Sequence, residues 1–192
     1  DAMLESYNPV PGSYAAGLGA DIELGAVPDV GVPLHLVFGF RQYPTNQSEF
    51  REAVSYAIDY KMLVDVIAAG YGKIPGKGYS SPALPGNRSD LPKLEYDPDK
   101  AKKILDEAGF TDVDGDGFRE APNGSKLRIP LTPYAKPHVI RAAELITNQL
   151  KQVGLNVYVE SLSSDAVSKK AWTDRDYYLM VGYSTPYANI LA

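Results

Sequence analysis

The residues best placed to do chemistry are the acidic run Asp112-x-Asp114-x-Asp116-Gly117-x-x-Glu120. Carboxylates at alternate positions converge on one point when a glycine at the sixth position lets the backbone bend sharply, which is the first half of a calcium loop. A full helix-loop-helix calcium site needs a glutamate at the twelfth position, where Asn123 stands, and a second helix where a strand is expected here. The same residues also describe an Asp-Gly turn whose carboxylates accept local backbone N–H groups. Calcium held by Asp112, Asp114, Asp116 and Glu120 is one expectation and a solvated turn the other. No other cofactor is expected.

The remaining candidates sit at expected strand ends. In open α/β sheets ligands lie beyond the carboxyl ends of the strands. Three such ends carry suitable side chains: Phe40-Arg41-Gln42-Tyr43, Thr132-Pro133-Tyr134 with His138 nearby, and Tyr183-Ser184-Thr185-Pro186-Tyr187. Tyr183, Tyr134, Arg41 and Tyr187 are the candidate ligand contacts, because small-molecule sites are built from aromatic walls and a few hydrogen-bonding groups. Fourteen tyrosines stand against one tryptophan and five phenylalanines, and tyrosine pairs an apolar ring with a polar tip, which suits a half-wet cleft. Two separated histidines, His35 and His138, cannot by themselves make a transition-metal site, which needs three or four ligands. The chain has no cysteine, so disulfides, thiolate metal sites and cysteine nucleophiles are excluded. No Gly-x-Ser-x-Gly elbow, P-loop or Gly-x-Gly-x-x-Gly turn singles out an enzyme.

Elements able to position these groups follow from periodicity. Residues 34–40 form a compact apolar run that reads as a buried strand. Apolar residues at 50, 53, 54, 57 and 58 give a first helix starting near Ser48, and Met62, Leu63, Val66, Ile67 and Ala69 continue as a second helix ended by Gly70 and Gly72. A proline-rich connection occupies 73–96. Asp97 caps and Pro98 opens a third helix that stops at Gly109. Beyond the turn cluster of 112–124, strands are expected over 127–131, 156–162 and 177–183, with a long amphipathic helix over 137–153 and a short one over 164–172. The first thirty residues are weakly patterned apart from 20–24, which reads as a short strand. Strands alternating with helices define an α/β fold, a mixed sheet flanked by helices.

With 192 residues, a formal charge of -5 and a pI near 5.0, the chain is one ordinary domain or a large fragment, and it lacks the basic face that nucleic acid requires. No apolar run reaches the roughly 18 residues of a membrane span, and residues 1–18 have neither the basic start nor the apolar core of a signal peptide.

Several ordered segments resemble one family. Arg51, Ala53, Ser55, Ala57, Ile58 and Asp59, followed by an apolar helix and a glycine, are similar to the Arg-x-Ala-x-Ser-x-Ala-Ile-Asp-Arg segment of the solute-binding proteins of peptide and nickel ABC importers; Tyr60 replaces the usual basic residue. Tyr96-Asp-Pro-Asp-Lys-Ala-Lys-Lys-Ile-Leu-Asp-Glu-Ala-Gly-Phe110 resembles a second family segment. The Asp114-Gly-Asp-Gly117 turn and the helix–Gly–strand run from Ala142 to Val157 resemble two more.

The resemblance implies a ligand-binding lobe of a solute receptor, of periplasmic-binding-protein-like fold and with no catalysis, in which hinge closure between two lobes captures a peptide or similar small solute. Residues 1–192 would form a single later lobe, with 1–33 an irregular leading segment and 177–192 a crossover back to the other lobe. It further implies an ABC permease as partner, a monomer, and an extracytoplasmic location. Peptide binders of the family carry Gly-Trp after the last strand, with an aspartate three residues beyond the tryptophan for the peptide amine. Here Gly182-Tyr183 keeps an aromatic but Pro186 takes the aspartate's place, which favours an aromatic-walled site over amine recognition. A sensing module of a membrane receptor is the alternative, and an α/β enzyme domain a more distant one.

Overall fold

The structure, a computed structural model, describes residues 34–70, 72, 74, 90 and 92–183, with Tyr183 described through its backbone alone. The leading segment 1–33 with its stretch at 20–24, most of the connection 73–96, and residues 184–192 with Tyr187 lie outside the described residues. Two compact units are present. One is built from 34–59 and 95–183, and the other includes 60–94.

The first unit is organised by four strands: β1 (Leu34–Phe38), β2 (Ile129–Pro133), β3 (Val157–Val159) and β4 (Leu179–Tyr183). Their spatial order is β1-β4-β2-β3. β2 runs parallel to β3 and to β4, while β1 pairs antiparallel with β4 from Leu34 opposite Tyr183 to Phe38 opposite Leu179. Paired residues share a face, so Ile129, Leu131, Val157, Leu179 and Val181 form one apolar surface, and all five are buried. α4 (Pro137–Gln152) packs on this sheet. Its buried Val139, Ala142, Ala143, Ile146 and Leu150 recur at helical spacing. The helix stops at Gly154, whose φ of +83° is left-handed, with Leu155 N–H returning to Leu150 O at 3.0 Å.

A second layer pairs α1 (Ser48–Ala57) with α3 (Pro98–Glu107). Phe50, Ala53, Val54, Ala57, Ala101, Leu105 and Phe110 are all buried, and the Phe50 and Phe110 rings lie 5.8 Å apart. Asp97 caps α3 as its type and position predict, accepting from Lys100 N–H at 2.9 Å. At Ile58 the backbone turns extended, which ends α1, and Asp59 N–H then donates to the Gln149 side chain at 3.1 Å. The Ala-Ile-Asp step thus breaks the helix against α4. In the other unit, α2 (Tyr60–Ile67) carries an exposed Lys61–Asp65 ion pair of 2.5 Å one turn apart.

Several expected elements differ in extent. β2 begins at Ile129 rather than at 127, because Lys126 is held in a bridge with Glu120. β3 has three residues and forms the sheet's edge, so only one side supplies partners. The short helix divides into α5 (Ser164–Ser168) and a π-helical turn, Lys169–Asp174, closed by Arg175 at φ +52°.

Arg119 joins the ends of two helices. Its Nε donates to Val153 O at 2.8 Å and its Nη1 to Phe110 O at 2.5 Å, with Asp106 on the same Nη1. The side chain is 12% exposed. Helix C-termini leave carbonyls without intrahelical partners, and one guanidinium satisfies carbonyls that follow both α3 and α4. Arg119→Met is expected to cost about 2–4 kcal/mol, since it orphans both acceptors, and Arg119→Lys to recover less than half, lacking the planar fork. Urea denaturation reads both; an Arg119→Met loss below about 0.5 kcal/mol, the size of an ordinary surface change, would refute the clamp.

Candidate functional site

Because β2, β3 and β4 are parallel, their carboxyl ends share one edge of the sheet. Tyr134 continues β2 there, its N–H donating to Val181 O at 2.9 Å. Its ring lies against the backbone of Gly182: a Cβ at residue 182 would sit 3.0 Å from ring atoms Cε2 and Cζ. Only glycine leaves the ring that place. His35 stands opposite Gly182 on β1, so His35, Gly182 and Tyr134 form one row on one face. Burial pushes the His35 imidazole below its ordinary value.

The next row inward, on the same face, holds Val37, Met180, Thr132 and, at the end of β3, Glu160. Glu160 N–H donates to Leu131 O at 2.9 Å, which prolongs the β2–β3 ladder by one bond. Its carboxylate accepts from the Thr132 hydroxyl at 2.7 Å and from Lys170 Nζ at 2.7 Å, both on Oε2. Thr132 is 0% exposed, and the Glu160 and Lys170 side chains are 25% and 22% exposed. Burial alone pushes the Glu160 carboxyl up; the Lys170 ammonium and the Thr132 hydroxyl outweigh it and hold the group below the usual glutamate range.

The candidates separate. Tyr134 and the backbone of Tyr183 lie at this shared edge. The segment Phe40-Arg41-Gln42-Tyr43 does not: β1 is antiparallel, so its carboxyl end emerges at the opposite edge, where Phe38 faces the start of β4 at Leu179. Arg41 therefore lies after a strand end at the opposite edge from Tyr134 and Tyr183. Arg41 is exposed, and neighbouring Gln42 donates to Asp176 at 2.5 Å. Tyr43 stacks on Phe110 with ring centroids 6.2 Å apart. A groove of about 640 Å³ lies beside Tyr43, between α1 and α3, walled by Glu52, Lys100, Ile104 and Phe110. Lys100 is already engaged, 2.7 Å from the Tyr56 hydroxyl.

In the acidic loop, oxygens of Asp112, Asp114 and Asp116 do converge, all within 4.8 Å of one another. Backbone donors and a lysine hold them. Asp112 accepts from Gly115 and Gly117 N–H at 2.8 and 2.9 Å, and Asp116 from Phe118 N–H at 2.8 Å. Lys126 Nζ contacts Asp114 at 2.5 Å and Asp116 at 2.9 Å. These two carboxylates raise the Lys126 pKa, and the Lys126 hydrogen bond, with that from Phe118 N–H, lowers that of Asp116. Glu120 turns inward, 4% exposed, and accepts from Val113 N–H at 2.8 Å.

Glu160 and Lys170 escape a reading based on strand patterning, since one ends an apolar run and the other lies in a short polar helix. The signal in the sequence is a carboxylate directly after Val157-Tyr158-Val159, with the hydroxyl of Thr132 set between Leu131 and Pro133. Gly182→Ala is expected to displace the Tyr134 ring and to cost about 1–3 kcal/mol by overpacking. In a Tyr134→Ala background most of that cost should vanish, a coupling that a double-mutant cycle in urea measures. Equal costs in both backgrounds would disprove the contact.

Relatives agree with this architecture. The family described as bacterial extracellular solute-binding proteins, family 5 (middle), matches residues 8–189. The chain is 35% identical over 115 residues to the nickel-binding periplasmic protein of Escherichia coli K12, covering 59% of this chain and 22% of that protein. It is 36% identical over 158 residues to the glutathione-binding protein GsiB of Salmonella choleraesuis, covering 81% and 28%. It therefore spans about a quarter of the length of these curated relatives. A periplasmic oligopeptide-binding protein of an oligopeptide ABC transporter from Thermotoga maritima superposes with a TM-score of 0.76 at 28% identity, over 86% of this chain and 32% of that one. Its mannohexaose-bound structure gives 0.74 over the same shares. The oligopeptide-binding protein AppA from Bacillus subtilis, in complex with a nonapeptide, gives 0.71 at 25% identity, over 81% and 31%. By its matched length and its fold, the chain belongs to the bacterial extracellular solute-binding proteins, family 5.

Proposed function

We propose that this chain is part of a non-catalytic solute receptor of an ABC importer. It captures a peptide-like or related small solute outside the cytoplasm and presents it to a membrane permease. The observation that carries this reading is the strand edge itself: Tyr134 seated on Gly182, beside a half-buried polar cluster, at the shared carboxyl ends of parallel strands. That is where open α/β sheets receive ligands. Capture follows hinge closure, because a solute touching two lobes favours the closed state by the contacts it makes only there. A peptide and mannohexaose each occupy named structural neighbours, so the solute class is read from chemistry at this edge and not from the fold.

Two measurements test the reading. Full-length protein is titrated with trialanine, glutathione and mannohexaose, and each mixture is then checked by mass spectrometry. At least one solute should raise the unfolding free energy, by about 2.7 kcal/mol at a hundredfold excess over Kd, and be recovered unchanged. Tyr134→Ala should weaken that binding about tenfold, or about 1.4 kcal/mol. Chemical conversion of the bound solute would overturn the reading.

We also propose that the acidic loop is a turn closed by Lys126 in the position a cation would take, with Glu120 serving the fold. Millimolar Ca²⁺ should then leave the melting temperature of the protein unchanged. A rise of several degrees that Lys126→Gln enlarges would instead establish a calcium loop.

A further inference from the structure

The Glu160 cluster differs from the surface ion pairs of this chain. Lys61–Asp65 and Lys126–Asp114 are 44–78% exposed, and such pairs contribute little. Glu160 and Lys170 are three-quarters buried, and the third member, Thr132, is fully buried. A half-buried ion pair costs desolvation, and apolar residues of the same size hold a fold as well or better. Packing therefore gives no reason for this pair to stand at the edge of the sheet.

The direction of its hydrogen bonds gives one. Both donors, Thr132 Oγ1 and Lys170 Nζ, reach the same oxygen, Oε2. A carboxylate can accept about four hydrogen bonds, and among the described residues no donor reaches Oε1. The group is braced on one side and open on the other, at the carboxyl ends of β2 and β3. Tyr134 lies two residues beyond Thr132 on the same face, about 7 Å along the strand. An aromatic ring and an open carboxylate together favour one kind of group, a protonated nitrogen, which the ring face attracts and the carboxylate binds by a charge-assisted hydrogen bond. Ionisation of Glu160 at neutral pH agrees with this, since its pKa is held below the usual range.

We propose that Glu160, aimed by Thr132 and Lys170, accepts a protonated nitrogen of the solute at this strand edge. The proposal rests on the solute-receptor reading above and narrows the solute to one bearing an amine. Lys170 and Thr132 are positioning residues: they fix the carboxylate and do not touch the solute.

The test uses full-length protein with trialanine and N-acetyl-trialanine, measured by calorimetry. Wild type should bind trialanine more tightly. Glu160→Gln, which keeps the shape and one acceptor, should weaken trialanine at least tenfold and change N-acetyl-trialanine less than twofold. Lys170→Met, which removes the brace that aims Glu160, should weaken trialanine several-fold and change N-acetyl-trialanine less than twofold. A merely structural pair would give a loss for both probes in both variants, with a lowered melting temperature, and would overturn the proposal. So would equal binding of the two probes by wild type, or a wild type that takes mannohexaose and neither peptide; those results leave the receptor reading standing. Failure to bind any of these solutes would remove both.

Discussion

The fold depends on the insertion of β4, the last described strand, between β1 and β2. β4 pairs antiparallel with β1 on one side and parallel with β2 on the other. Neither neighbour can form a continuous sheet without it, and Leu179 and Val181 complete the surface on which α4 packs. A chain segment some 140 residues after β1 thus closes the sheet, a pairing of long sequence separation whose loop-closure entropy must be met before contacts compensate it. The same insertion gathers the candidate site. Gly182 receives the Tyr134 ring because β4 lies next to β2, and His35 joins the row because β1 lies next to β4.

Several buried or crowded polar groups in this unit are compensated internally. Arg119 reaches carbonyls after α3 and α4, Glu120 holds Val113 N–H, and Gln149 holds Asp59 N–H. In the acidic loop Lys126 neutralises two of three aspartates. Each arrangement satisfies a buried or crowded group fully, as low-dielectric surroundings demand. The Glu160 carboxylate differs from these, with both of its side-chain donors on one oxygen, and its place at the strand ends is what the proposal for it rests on.

Much of the architecture was legible in the residue pattern. Helical spacing in α1 and α4, the Asp97-Pro98 start of α3 and the glycine stops at 109 and 154 are local signals, and each element stands within a few residues of where they put it. The Arg51–Asp59 segment that resembles the family forms core and helix break, with Ala53, Ala57 and Ile58 buried, so it identified the family without carrying its chemistry. The aromatic at position 134 was legible as a site candidate because it follows an apolar strand. Which edge Arg41 stands at was not legible: strand ends are visible in sequence, strand directions are not.

Sequence alone therefore determined the α/β class and the order of elements, which follow from periodicity and short-range turn chemistry, and the family, which follows from ordered local motifs. Tertiary structure alone decided that β1 runs against its neighbours and removes Arg41 from the edge. It also decided that Tyr134 needs the bare backbone of Gly182, and that Thr132, Glu160 and Lys170, up to 38 positions apart in the chain, share one carboxylate oxygen. The physical reason is that strand pairing is set by which apolar faces are buried together, a property of the assembled sheet and not of any one strand.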